Sequence, residues 1–241
     1  MTITVVIPAL DEEQSLPLTL ERTIGLGFDR IIVVDGGSRD RTPEVIESAA
    51  RPRSSAPSPP HSRLTPVTFL KSEAGRARQM NHGAAASQDE VLLFLHADTQ
   101  LPGEARATIE QALAEPTCVG GRFDLHFSRE TRWGRLIGNL INLRSRWSGI
   151  ATGDQAIFVR RTVFDQLGGF TDVPIMEDVD FTRRLKRMGR VAALRSKVVA
   201  SFRRWEHKGP VRTILLMWAL RFLYWLGISP ARLSRLYTPV R

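Results

Sequence analysis

Val91-Leu92-Leu93-Phe94-Leu95-His96-Ala97-Asp98-Thr99 passes from an unbroken apolar run to a polar cluster within one residue. A run rich in Val and Leu with no polar interruption predicts a strand buried on both faces of a parallel sheet. Ligands of open α/β sheets sit just beyond the carboxyl ends of such strands, which puts His96 and Asp98 where chemistry is expected.

The segments on either side repeat this plan. Residues 3–7 form a β-branched run stopped by Pro8, and Asp11-Glu12-Glu13 precedes a helical pattern led by Leu16, Leu20 and Ile24. The first loop contains no Gly, so the glycine cradle that holds a pyrophosphate in dinucleotide-binding folds is absent and phosphates must be held otherwise. Residues 31–34 predict a second strand, which also ends in a carboxylate, Asp35, before Gly36-Gly37-Ser38 and a helix opened by Thr42-Pro43. Further strands are expected at 67–70, 119–127 and 156–159, with helices at 75–86, 102–113, 132–147, 160–167 and 176–189. Residues 51–66, rich in Pro and Ser, predict a mobile surface loop and not a domain linker, because the α/β alternation resumes directly after it.

At 241 residues the chain suits one generous α/β domain with a tail. Its 34 Lys and Arg against 25 Asp and Glu give a formal charge of +9, which favours anionic partners such as nucleotide phosphates or anionic lipid. Aromatic and basic residues do not interleave over the first two-thirds, so charge alone does not argue for nucleic acid. Cys118 is the single cysteine, which excludes an intrachain disulfide. With no basic-then-apolar leader at the N-terminus, a cytoplasmic location is expected.

Four segments in order, Ile7-Pro8-Ala9-Leu10-Asp11-Glu12-Glu13, Val33-Val34-Asp35-Gly36-Gly37-Ser38, Phe94-Leu95-His96-Ala97-Asp98-Thr99 and Glu177-Asp178, resemble the family 2 glycosyltransferases. More narrowly, His-Ala-Asp-Thr, the segment 75–81 and Arg203-Arg204-Trp205-Glu206 look like the bacterial radical-SAM/selenodomain-associated transferase 2 subgroup. The resemblance implies a GT-A fold over 1–209, a mostly parallel sheet flanked by helices, and inverting transfer from a nucleotide diphosphate sugar to an acceptor hydroxyl. It also implies that Pro8, Ala9, Glu12 and Asp35 contact the base and ribose, with Arg78 and Asn81 along the nucleotide. Asp98 would bind a divalent cation, Mn²⁺ or Mg²⁺, and Asp178 would be the general base, with Glu177 its nearest competitor. Asp154 and Gln155 would shape the acceptor pocket.

One position departs from the family pattern. Members usually carry Asp-x-Asp where this chain has His96-Ala97-Asp98; an imidazole suits Mn²⁺ better than hard Mg²⁺, and His207 is a further candidate ligand from a closing loop. A binding protein that has lost turnover through His96 is the rival reading. A sugar-phosphate nucleotidyltransferase would need a Gly-rich phosphate loop after its first strand, which Pro8-Ala9-Leu10-Asp11 is not. In the tail, 210–241, the apolar stretch 214–226 spans only about 20 Å as a helix, short of the roughly 30 Å bilayer core. It is expected to lie in an anionic membrane interface, or to pack on the domain or in a homodimer interface.

Overall fold

The computed structural model describes residues 1–51 and 65–237, and it leaves the side chains of Arg204, His207 and Lys208 undescribed. Most of the Pro- and Ser-rich loop expected at 51–66, and the ligand role expected of His207, therefore lie outside the described residues.

The first half alternates as the sequence predicts: β1 (Ile3–Ala9), α1 (Leu16–Ile24), β2 (Arg30–Asp35), α2 (Thr42–Ala50), β3 (Val67–Lys71), α3 (Arg76–Ala85), β4 (Val91–Phe94), the short β5 (Thr99–Gln100) and α4 (Ala105–Leu113). The second half holds β6 (Cys118–Phe127), α5 (Arg132–Ser148), a 3₁₀ turn (Gly153–Gln155), β7 (Ile157–Arg160), α6 (Arg161–Gln166), α7 (Glu177–Leu185) and β8 (Arg190–Ala200). It ends in α8 (Arg203–Lys208), α9 (Pro210–Trp225) and α10 (Pro230–Leu233). One sheet runs β3-β2-β1-β4-β7-β6-β8-β5. Its β3-β2-β1-β4 half is parallel; β7 enters antiparallel between β4 and β6, and β8 runs parallel to β6.

Because side chains alternate along a strand, a strand covered on both faces must be apolar throughout. In β1, Ile3, Val5 and Ile7 join the core beneath α1 and α4, whereas Val6 joins Ala77, Met80 and Ala84 of α3. Val91 and Leu93 of β4 likewise face the first cluster, and Leu92 and Phe94 the second. Burying each such side chain contributes about 1.5–3 kcal/mol. Phe94 also begins an aromatic chain, edge-on to Phe170 at 4.8 Å, with Phe170 against Phe181 at 4.3 Å. That chain fixes the start of α7 relative to the end of β4.

Strand β8 was not expected. It pairs with β6 and then, through Thr99↔Ala200, with β5, which carries the chain after β8 to the end of β4. The tail is not an appendage either: Thr213, Leu220 and Leu233 are buried, and Ile214 packs against the core. No helix among the described residues is long and apolar enough to cross a membrane.

Candidate active site

A cleft of about 1470 Å³ opens beyond the carboxyl ends of β1 and β4. Pro8, Ala9 and Glu12 form one wall, His96 and Asp98 the floor, Asp154, Glu177 and Asp178 the opposite side, and α5 and α9 the outer walls. Pro8, Ala9, Glu12, Arg78, His96, Asp98, Asp154, Glu177 and Asp178 all line it. Asp35, Asn81 and Gln155, also expected at the site, do not.

Asp98 lies between β4 and β5, directly before Thr99, and its carbonyl accepts from Ser201 N at 3.2 Å, so the end of β8 lies beside it. Two residues on, Arg203 Nη2 stands 2.8 Å from Glu12 Oε2 and 3.7 Å from Asp98 Oδ2. One guanidinium thus bridges two carboxylates that would otherwise repel. Burial pushes the Glu12 carboxyl above its ordinary range; the Asp98 charge adds to this, and Arg203 opposes it. Among the described residues no three His, Cys, Asp or Glu side chains form a cluster able to hold a metal alone. Asp98, with its side chain 31% exposed to the cleft, and Glu12 fit the sites in which one or two carboxylates share a hard cation with substrate phosphates.

Asp178 sits in the first turn of α7, where the helix dipole favours an acid. Its Oδ2 accepts from Gly153 N at 2.8 Å and its Oδ1 from Val179 N at 2.7 Å. Gly153 is close-packed: a Cβ there would lie 2.3 Å from His96 Nε2, so the imidazole fills the space that a side chain would take. Glu177, by contrast, is buried and ion-paired with Arg76 Nη1 at 2.9 Å. Burial, with the adjacent Asp178, raises its pKa, and Arg76 works against that rise.

The expected residues outside the cleft are engaged by the backbone. Asp35 is buried and accepts from the amides of Gly37 and Ser38, an Asx-type turn. Asn81 takes both partners from Phe170, donating to its carbonyl at 2.8 Å and accepting from its amide at 2.9 Å. Gln155 is fully buried, caps its own 3₁₀ turn through Thr152 and donates to Ser145 Oγ at 3.1 Å. Those contacts hold the loops around the cleft. Arg78 stands at the mouth, paired with Glu73 at 2.7 Å and Asp172 at 2.8 Å.

Sequence reasoning missed Arg76, Gln79, Arg144, Arg203 and Arg221. Gln79 Nε2 donates to the carbonyls of Ala9 at 2.7 Å and Val34 at 2.8 Å, joining the ends of β1 and β2. Arg203 lay within the segment that carried the resemblance, and that was its available signal. Arg76, Arg144 and Arg221 sit within helices, where a basic residue reads as solvated surface.

The glycosyl transferase family 2 profile matches residues 4–171, more than half of the chain. The chain belongs to that family. Its sequence is 30% identical over 165 residues to an undecaprenyl-phosphate 4-deoxy-4-formamido-L-arabinose transferase of Pseudomonas aeruginosa (strain LESB58), covering 66% of this chain and 46% of that protein. The namesake of Pseudomonas syringae pv. syringae (strain B728a) is 29% identical over 175 residues, 68% of this chain and 49% of its own. The chain thus spans about half the length of these relatives. Among solved structures, the mannosyltransferase PcManGT from Pyrobaculum calidifontis, in complex with GDP-Man and Mn²⁺, superposes with a TM-score of 0.67 at 19% identity, over 99% of this chain and 65% of that one. Residues 1–349 of S. aureus TarS give 0.62 at 15% identity, over 83% and 60%. The fold is GT-A. The family match ends at residue 171, before Asp178 and Arg203.

Proposed function

We propose that this chain is an inverting glycosyltransferase that moves a sugar from a nucleotide diphosphate sugar to an oxygen nucleophile, assisted by a divalent cation. The observation that carries this reading is the convergence on one cleft of the β1 loop, the Glu12–Arg203–Asp98 cluster and the oriented carboxylate of Asp178. Two of the similar solved structures, one in complex with GDP-Man and Mn²⁺ and the other with UDP-GlcNAc, support a nucleotide sugar as donor and Mn²⁺ as the cation.

In this reading Asp98 and Glu12 hold the cation, which would neutralise the charge that collects on the departing diphosphate. Arg203 adds positive charge at the same point, the task that no glycine loop performs here. Asp178 is the better base of the adjacent acids, because Glu177 is buried and paired with Arg76. Gly153 N orients the Asp178 carboxylate, and attack from that side, opposite the diphosphate, inverts the anomeric carbon. His96 supports the Gly153 turn and is a second candidate ligand for the cation.

For the acceptor, the relatives' names supply the chemistry of a phosphate on a long hydrocarbon chain. A hydroxyl or water nucleophile needs Asp178 to take its whole proton, whereas a phosphate, with a second pKa of about 6, needs it only for the residual monoanion. Peripheral contact with an anionic membrane is the matching reading of the basic, apolar tail.

Nucleotide release from UDP- and GDP-sugars with Mn²⁺, with water as acceptor, tests the base. Asp178→Asn is expected to slow this hydrolysis by roughly 10²–10⁴-fold. A variant as fast as the wild type would overturn the assignment.

A further inference from the structure

Helix α5 is fixed in rotation by Asn142, whose amide donates to Leu125 O at 2.9 Å and accepts from Leu125 N at 2.7 Å on β6. Two residues later, Arg144 is directed into the cleft. Its Nε and Nη2 are buried and have no hydrogen-bond partner among the described residues. Buried guanidinium nitrogens without partners are costly, and in a packed interior they are ordinarily paired.

The wall opposite brings a second arginine, Arg221 of α9, to the same space. Burial, with Arg221 next in effect, pushes Arg144 down to about 10, and Asp154 and Asp178 work against that shift without reaching ion-pair distance among the described residues. Asp154 is itself raised by burial, and its Oδ1 is buried without a hydrogen-bond partner among the described residues. Two guanidinium forks facing one gap beside the candidate base require an anion that accepts several hydrogen bonds, and a phosphomonoester matches them in charge and geometry. Beyond the arginines the walls turn apolar, with Leu140 and Ile141 on α5 and Ile214, Met217 and Trp218 on α9.

We propose that Arg144 and Arg221 hold the phosphate of the acceptor, a phosphomonoester on a long hydrocarbon chain, and that the apolar walls of α5 and α9 receive the chain. This rests on the transfer reading above and adds the subsite. In the step itself a phosphate oxygen forms the bond to the anomeric carbon. The bond from that carbon to the diphosphate breaks, and the nucleoside diphosphate leaves with the electron pair.

The test is titration of the full chain with farnesyl monophosphate, farnesol and inorganic phosphate, in wild type, Arg144→Gln, Arg221→Gln and Arg144→Lys, with wild-type donor hydrolysis measured alongside. Farnesyl monophosphate is expected to bind about tenfold or more tighter than either other probe, an advantage lost in the Gln variants and partly kept by Lys. Thermal unfolding of the Gln variants should match the wild type, since Arg144 Nε and Nη2 have no hydrogen bond to lose among the described residues. Equal binding of farnesol and its phosphate, or an advantage that survives both Gln changes, would overturn the subsite. Inorganic phosphate binding as tightly as the lipid phosphate would overturn the hydrocarbon half. Hydrolysis without phosphate preference places the failure here; preference without hydrolysis supports this subsite and places the failure in the transfer reading.

Discussion

A methyl group on Gly153 would stand 2.3 Å from His96 Nε2, while the same residue's amide holds Asp178 at 2.8 Å. Gly153→Ala must therefore displace either the imidazole or the amide. We expect a stability loss of roughly 1–3 kcal/mol in chemical denaturation together with slower donor hydrolysis; a variant unchanged in both would mean that the contact is slack. Glu12 tests the site from the other side. Its carboxyl is raised above the ordinary 4.5, mainly by burial, so the folded state holds its proton more tightly than the unfolded chain does. The stability this contributes is complete below about 4.5 and is lost as pH rises through the raised value. Glu12→Gln should therefore unfold at a higher temperature than the wild type at pH 7, with the gap closing below pH 4.5, and should bind Mn²⁺ and donor more weakly. A variant less stable than the wild type at pH 7 would contradict the argument. The place of Asp98 and Asp178 on the cleft was legible in the sequence because each stands where a regular element begins or ends. Asp35, Asn81 and Gln155 have the same chemistry, but the turn at 36–38, Phe170 and Thr152 take up their hydrogen-bonding groups, and no short sequence pattern records such partners.

The apolar runs of β1, β2 and β4 announced themselves because both faces of those strands are covered. Strand β8 did not: Arg190, Arg195 and Lys197 interrupt it and much of it is only partly buried, so it presents no clean alternation. Missing it concealed how Arg203 reaches Asp98. Helices α5 and α9 were visible as helices, but not as the two walls of one cleft. Along α9, Val211, Leu215, Trp218, Phe222 and Trp225 are exposed at helical spacing, and along α5 so are Trp133, Leu136, Leu140, Leu143 and Trp147, the last at 90%. Such stripes, with Arg212, Arg232 and Arg235 near, suit an interface of anionic lipid. Flotation with phosphatidylglycerol-containing vesicles should carry the wild type upward and leave Trp147→Ser/Trp218→Ser/Trp225→Ser below, with no fall in melting temperature because these side chains are exposed. Equal flotation of both would remove these stripes from the membrane reading.

Across the whole molecule, a parallel half-sheet supplies one wall of the cleft, the strands inserted after β4 supply the acidic side, and the C-terminal helices close the outer face. The order of these parts was readable from strands, caps and carboxylates; their closure depends on contacts more than 100 residues apart, such as Arg203 with Glu12, separated by 191. The formal charge of +9 suits a protein whose proposed donor and acceptor are both anions. The proposed transfer depends on Asp98 joining a cation to a nucleotide diphosphate sugar in this cleft. Calorimetric titration of GDP- and UDP-sugars with and without Mn²⁺, in wild type and Asp98→Ala, measures that directly. Donor binding is expected to tighten about tenfold or more with Mn²⁺ in the wild type and to be unchanged by Mn²⁺ in Asp98→Ala. Equal Mn²⁺ enhancement in the two proteins would contradict it.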